Sequence, residues 1–261
     1  MKIEKEVFGV TYERYSLLKL QEYLVKKLKL ESILEIPASG AKAAPSLYSI
    51  GFSKFGCKTT LVNPDKGGIK NWYYLNLKGY LKEKYVSNLK NTGLTGNSHD
   101  FVWNFVTLQL EKYPELLLEE MKRLSKKYVM VVFVNNFNPG FVIHRLLHKF
   151  KKIEWTHGDI RFSSPFWVKR YLKKRGLKIV KFGVLDTPPW PDSLGFRDLR
   201  LHRLSKENKH TEIVWEIPIL KYIKDNNYPA WIRIVYFWER FPVPILIKIF
   251  YSHLYFVLAE K

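Results

Sequence analysis

The sequence predicts an α/β fold: a doubly wound, mostly parallel sheet with a helical and aromatic insertion before its last strand. Three observations predict it. From Tyr12 to Leu185, short β-rich runs alternate with segments of helical period, the pattern of a parallel sheet with helices on both faces. The runs SILEI (32–36) and YVMVVFV (128–134) have the dense apolar character of strands covered on both sides. The alternation then breaks at Asp186 and resumes only at SHLYFVL (252–258). The expected organisation is a core over 1–185, an insertion or lid over 186–251, and a last core strand within 252–261.

Each element has its own signal. Tyr12, Tyr15, Leu20, Tyr23, Leu24 and Leu28, with Lys and Glu between them, describe an amphipathic helix over 12–30. It leads into the strand 32–36. Residues 43–52 suit a helix, because Pro45 falls in its first turn, where proline is tolerated. KTTLVN (58–63) reads as a second strand, closed by Pro64, Asp65, Gly67 and Gly68. HDFVWNFV (99–106) reads as a buried strand, and 111–126 as a helix with Leu117, Met121 and Leu124 on its apolar face. After YVMVVFV comes the turn cluster NNFNPG (135–140), then a helix over 163–175 opened by Ser163, Ser164 and Pro165, and a strand over 177–185. Beyond Asp186, the run TPPWP (187–191) and the polar stretch 205–210 are loop, whereas 213–250 is aromatic and in part helical.

Composition narrows the partners. The chain has 44 Lys and Arg against 24 Asp and Glu, a formal net charge of +20, which sets up a positive surface field suited to anionic ligands such as RNA, a phospholipid surface or a small acid. The alternative is a Lys-rich surface suited to stability in a thermophile. Cys57 is the only cysteine, so no internal disulfide and no Cys-based metal site can form. That fact and a charged start without an apolar leader point to the cytoplasm. A membrane span needs about 18 or more apolar residues, and the richest stretch, 241–259, is broken by Pro242, Pro244, Lys248, Ser252 and His253. Trp231, Phe237, Trp238 and Phe241 among Arg233, Arg240 and Lys248 nevertheless suit a peripheral place at a headgroup boundary.

The stretch ILEIPASGAK (33–42) lies where an open parallel sheet binds ligands, in the first strand–loop–helix crossover. An acid ends the run, one apolar residue follows, and the loop turns on Gly40. With the second strand ending at Asn63 and a fourth element beginning at Asp100, the order resembles the class I S-adenosylmethionine-dependent methyltransferases, over roughly 12–185 plus the closing strand, which looks like that family's seventh. The resemblance implies a Rossmann-like, seven-stranded sheet and S-adenosylmethionine as cofactor. It implies Glu35 as the acid of the first motif, with Pro37, Ser39 and Gly40 in the loop where glycines alternate in the family. It also implies Asn63 or Asp65 at the ribose, Asp100 on the adenine side and Asn104 near the methionine part.

On the acceptor side the reading is sparser. His144 and Arg145 are candidates for handling a proton or an anionic group. His144 and His148 share a helix face, but Arg145 stands where HExxH has its Glu and no nearby carboxylate completes a set, so no metal is expected. The stretch 145–181 is rich in Lys and Arg with aromatic residues between, a solvated basic face or a grip on nucleic acid. No NPPY-type loop follows Asn104. The reading favoured is methyl transfer to a small or amphiphilic acceptor under the aromatic insertion. The alternatives are an RNA methyltransferase using 145–181, and a non-catalytic scaffold of the same fold.

Overall fold

A computed structural model describes residues 2–40, 44–190 and 213–261. Of the sequence expectations, Ala41 in the loop and the part of the insertion spanning 191–212 lie outside the described residues. The strands are β1 (Lys2–Lys5), β2 (Ser32–Glu35), β3 (Lys58–Val62), β4 (Leu81–Lys84), β5 (His99–Phe105), β6 (Ser125–Val134), β7 (Lys178–Leu185), β8 (Ile213–Glu216) and β9 (Leu254–Glu260). The described helices are α1 (Phe8–Leu28), α2 (Ile50–Lys54), α3 (Lys66–Tyr74), α4 (Pro114–Leu124), α5 (Pro139–Phe150), α6 (Pro165–Lys173), α7 (Pro218–Asp225), α8 (Ala230–Arg240) and α9 (Ile245–Lys248).

The main sheet has seven strands in the order β4-β3-β2-β5-β6-β9-β7. Pairings within β4-β3-β2-β5-β6 are parallel. β9 runs antiparallel between β6 and β7, so the closing strand is where the resemblance puts it. Strand order turns back at β2 and β5, because β3 and β4 extend to one side of β2 while β6 lies beyond β5. That reversal opens a crevice at the carboxyl ends of β2 and β5.

Period-two alternation builds the two core layers. Leu34, Val102, Val129, Val131 and Val257 face α4 and α6, meeting Leu117, Met121, Leu124, Val168 and Leu172. Ile33, Phe101, Trp103, Met130, Val132 and Phe256 face the opposite way, against Leu17 and Leu24 of α1 and Phe52 of α2. At roughly 25 cal/mol per Å², side chains this fully buried supply most of the drive to fold. The amino half of α1 is buried all round, from Val10 to Leu18, because it packs on the sheet on one side while Tyr12, Tyr15 and Leu18 meet Ile219, Leu220, Ile223 and Ile232 of α7 and α8. Tyr23, expected on the apolar face, is 43% exposed.

Two local expectations are corrected, and one element is added that the sequence did not signal. The helix expected over 43–52 is confined to Ile50–Lys54, because Ser46 takes a left-handed conformation, φ 61°, and ends any helical path from Pro45. β6 begins at Ser125 rather than Tyr128 and shortens the preceding helix to Pro114–Leu124. The N-terminal residues form β1, which pairs in parallel with β8, Ile3 opposite Val214, so residues 2–5 are tied to the segment that follows β7. No described helix is long and apolar enough to cross a membrane.

Candidate functional site

The loop after β2 is built from main-chain and hydroxyl contacts. The Ala38 amide donates to the Val62 carbonyl at 2.7 Å, holding the loop to the end of β3. Ser46 Oγ donates to the Ala38 carbonyl at 2.7 Å and accepts from the Asp65 amide at 2.8 Å. Trp72 Nε1 donates to the Ser46 carbonyl at 2.7 Å. Pro37 and Ala38 are buried, whereas Ser39 is exposed and Gly40 half-buried. Gly40 has φ +69°, and a Cβ there would lie 3.1 Å from Pro45 and from the Tyr48 ring. Only glycine takes this turn without strain.

Glu35 is fully buried beneath the loop. Ser49 Oγ donates to its Oε2 at 2.6 Å and accepts from Trp103 Nε1 at 2.9 Å, while Oε1 meets no donor among the described residues. Burial pushes this carboxyl up to about 8, although the Ser49 bond pulls the other way. Arg14 of α1 reaches the same neighbourhood. Its Nε donates to Glu6 Oε1 at 2.9 Å, its Nη2 to the Ala44 carbonyl at 3.1 Å, and its guanidinium lies 5.1 Å from the Tyr48 ring centre. Arg14 Nη1 is buried with no acceptor among the described residues.

The other expected cofactor residues divide by where they stand. Asp65, exposed at the end of β3, caps α3, Oδ1 accepting from the Gly68 amide at 2.8 Å. Asn63 is spent on main chain: its Oδ1 accepts from the Val86 amide at 2.7 Å and its Nδ2 donates to the Val86 carbonyl at 2.9 Å. Asn104 is fully buried and equally occupied, donating to the Ile36 carbonyl at 2.7 Å and Thr107 Oγ1 at 2.6 Å, and accepting from the Leu108 amide at 2.9 Å. Asp100 sits at the amino end of β5, opposite the crevice. There its Oδ2 accepts from Ser32 Oγ at 2.8 Å and the Ser32 amide at 2.9 Å, and its Oδ1 pairs with Lys126 at 2.9 Å. The sequence places the right residue types near the strand ends, but Asn63, Asn104 and Asp100 serve as internal ties.

A second polar cluster, missed in the sequence, joins α1 to α8. Glu239 of α8 accepts from Tyr12 Oη at 2.7 Å, Ser16 Oγ at 2.6 Å and the Thr187 amide at 3.0 Å. Beside it Asp186, at φ 56° just past β7, pairs with His253 Nδ1 at 2.9 Å. Burial pushes Asp186 above the usual carboxylate range, against the lowering pull of His253. Tyr12 packs with Ala38 and Ala44 in one apolar cluster, so this polar group adjoins the loop. Its members lie far apart in sequence, and no local pattern reveals them.

His144 and Arg145 part company. His144 is fully buried, while Arg145 is exposed. The basic stretch folds largely into α6 and its flanks. Arg161 is bound by Asp159 at 2.6 Å and lies 5.2 Å from the Trp167 ring centre, and Arg175 lies 3.7 Å from that of Tyr171. Trp167 and Tyr171 stack on each other at 4.8 Å and pack on Phe162, as part of the fold's own packing.

A seven-stranded sheet of this order, parallel except for a closing strand that runs antiparallel between β6 and β7, is the class I methyltransferase fold, and solved structures bear this out. The [4+2]-cyclase SpnF superposes with a TM-score of 0.55 over 94% of this chain and 80% of its own, at 12% identity. The MccD protein does so with a TM-score of 0.52 over 95% and 96%, at 11% identity. The magnesium protoporphyrin IX methyltransferase ChlM from Synechocystis PCC 6803, solved with bound SAH, gives 0.51 over 69% and 80%, at 13% identity. No protein-family model and no curated protein matches the chain. At these identities the likeness is one of fold, and a fold shared by a cyclase and a methyltransferase leaves the chemistry to the site.

Proposed function

We propose that the protein binds S-adenosylmethionine at the crevice above β2 and β5 and transfers its methyl group to a small or amphiphilic acceptor beneath the insertion. The observation that carries the reading is a pair of buried polar atoms beside the loop that have no partner among the described residues, Glu35 Oε1 and Arg14 Nη1. An acceptor and a cationic donor, both organised around Tyr48 and Ser49, suit the ammonium and carboxylate of an amino-acid moiety. Pro37, Ser39 and Gly40 would line the methionine side, and Asp65, with Oδ2 to spare, would take the ribose hydroxyls. The cofactor, when bound, supplies an electrophilic methyl group. The chain's own part is to position the acceptor and exclude water, with Asp186 and His253 placed to hold a proton.

An amphiphilic acceptor is supported by the outer surface of the insertion. Ile234, Phe237, Trp238 and Phe241 are 52–72% exposed, with Arg233, Arg240 and Lys248 interspersed. Such a face suits a substrate with an apolar body and an anionic head, drawn from solution or from a membrane surface.

Calorimetric titration with S-adenosylmethionine and with S-adenosylhomocysteine tests the proposal. Micromolar binding to the native protein, lost in Gly40→Val and weakened in Asp65→Ala, is the expected result. Absence of heat and of any thermal shift with either compound would favour the scaffold reading.

A further inference from the structure

We infer that His144, His148 and His157 form a binding site for a divalent transition-metal ion of the zinc class. The sequence shows only the first two, one helical turn apart on α5. The fold adds His157 from the loop that follows, and the three residues' ligand nitrogens lie within 4.8 Å of one another. The ring centres are 4.7 Å apart for His144 and His148, 4.9 Å for His144 and His157, and 5.5 Å for His148 and His157. This third imidazole overturns the expectation, drawn from the missing carboxylate, that no set could be completed.

Four features make this a built site rather than a chance meeting of rings. First, His144 and His148 are 0% and 4% exposed, and His157 is partly exposed, which leaves a way in from solvent. Second, His148 Nδ1 faces the Glu154 carbonyl at 3.0 Å and the Ile153 carbonyl at 3.3 Å. A carbonyl only accepts, so Nδ1 carries the proton and Nε2 the lone pair, the outer-shell arrangement that orients metal-binding histidines. Third, Trp155 walls the group, with ring centres 5.5, 5.3 and 4.8 Å from His144, His148 and His157, and its Nε1 donates to the Gly158 carbonyl at 3.0 Å. Fourth, the loop is anchored at its far end. Gly158 has φ +75°, a Cβ there would lie 2.2 Å from the Gln109 carbonyl oxygen, and the Asp159 amide donates to that same oxygen at 2.9 Å. Glycine alone permits the approach that presents His157.

The donor set selects the ion. Imidazole nitrogens without thiolate or carboxylate suit zinc, cobalt, nickel or copper rather than magnesium or calcium. A tetrahedral zinc with Zn–N of about 2.0–2.1 Å places nitrogens about 3.3 Å apart, so binding draws each ring in by about an ångström or less. Three neutral ligands leave one position open and the ion's charge uncompensated. That open position calls for an anion, a hydroxide or an acidic group of a ligand. The site also stands on the ligand side of the sheet. The Asn136 amide donates to the Ser163 carbonyl at 3.1 Å, so α5 and its loop form an excursion that leaves and returns at the carboxyl end of β6.

The test uses the full chain stripped with a chelator and dialysed, titrated with zinc chloride by calorimetry and with cobalt(II) by visible spectroscopy. One zinc per chain and the intense bands of a four-coordinate cobalt ion are expected. His157→Ala, at the most exposed ligand, should fold normally by circular dichroism yet weaken zinc by more than the roughly 10–100-fold that loss of an outer-shell partner costs. Leu146→Ala, at an exposed position on the side of α5 facing away from His144 and His148, should bind as the native protein does. Absence of zinc binding by the folded native chain, or equal binding by His157→Ala, would overturn the inference. Because the readout is metal content and spectrum, it stands or falls separately from cofactor binding.

Discussion

Asn104 Nδ2 donates to the Ile36 carbonyl at 2.7 Å, and Asn104 Oδ1 accepts from the Leu108 amide at 2.9 Å. One buried side chain thus fixes where the loop after β2 begins and caps the turn after β5. Asn104→Ala strands those main-chain groups, and a buried unsatisfied group costs about 1–3 kcal/mol. Urea unfolding should show at least that loss. Asn104→Asp should not restore stability, because a carboxylate cannot donate to Ile36.

Glu35 sets a pH dependence. Its folded carboxyl titrates near 8 against 4.5 for the ordinary group, so the folded chain holds a proton that the unfolded chain has released. Stability from this group is complete below 4.5 and is lost as pH rises through about 8. Thermal midpoints should fall across that window. Glu35→Gln, which keeps the volume and cannot ionise, should flatten the fall and leave the mutant the more stable protein at alkaline pH.

Glu239 docks α8 on α1 by accepting from Tyr12, Ser16 and the Thr187 amide. Glu239→Ala should loosen α8 and leave the sheet intact. Amide hydrogen exchange should quicken over residues 230–240, while the amides of β5 and β6 keep native protection. Uniform acceleration across the chain would instead make Glu239 a determinant of global stability.

Gly183 of β7 lies under the Phe256 ring, where a Cβ would come within 2.3 Å of it. Gly183→Ala should cost about 1–3 kcal/mol through overpacking. Combining it with Phe256→Leu should cost less than the sum of the two single changes, because the smaller side chain makes the room. Unfolding of all four proteins of the cycle measures that coupling.

The sequence exposes what depends on neighbours in the chain and hides what depends on neighbours in space. β2, β5, β6 and β9 were legible because burial on both faces demands unbroken apolar runs. β4, with the sequence LKEK at the sheet edge, has no such demand and left no signal. The turn at Ser46 is not foretold by residue type, since serine rarely takes φ 61°. Around the candidate site, the turn at Gly40 and the acid that ends β2, Glu35, were readable from position alone. The roles of Asp100 and Asn63 were not, because an acid or amide near a strand end is equally suited to a ligand and to main chain, and only the fold shows Ser32 and Val86 in possession. His157 stands nine positions beyond His148, across a loop with no periodicity, and Asp186 and His253 meet only when β9 enters the sheet.

The place of β9 between β6 and β7 has a consequence for synthesis. A ribosome delivers both flanking strands well before the one that joins them, so during translation each presents a bare edge with open hydrogen-bonding groups. The sheet cannot close, nor Asp186 find His253, until residues 254–260 have left the exit tunnel. The nascent chain therefore carries these open edges until β9 emerges, and a chaperone that shields the edges of β6 and β7 over that interval would raise the yield of this protein.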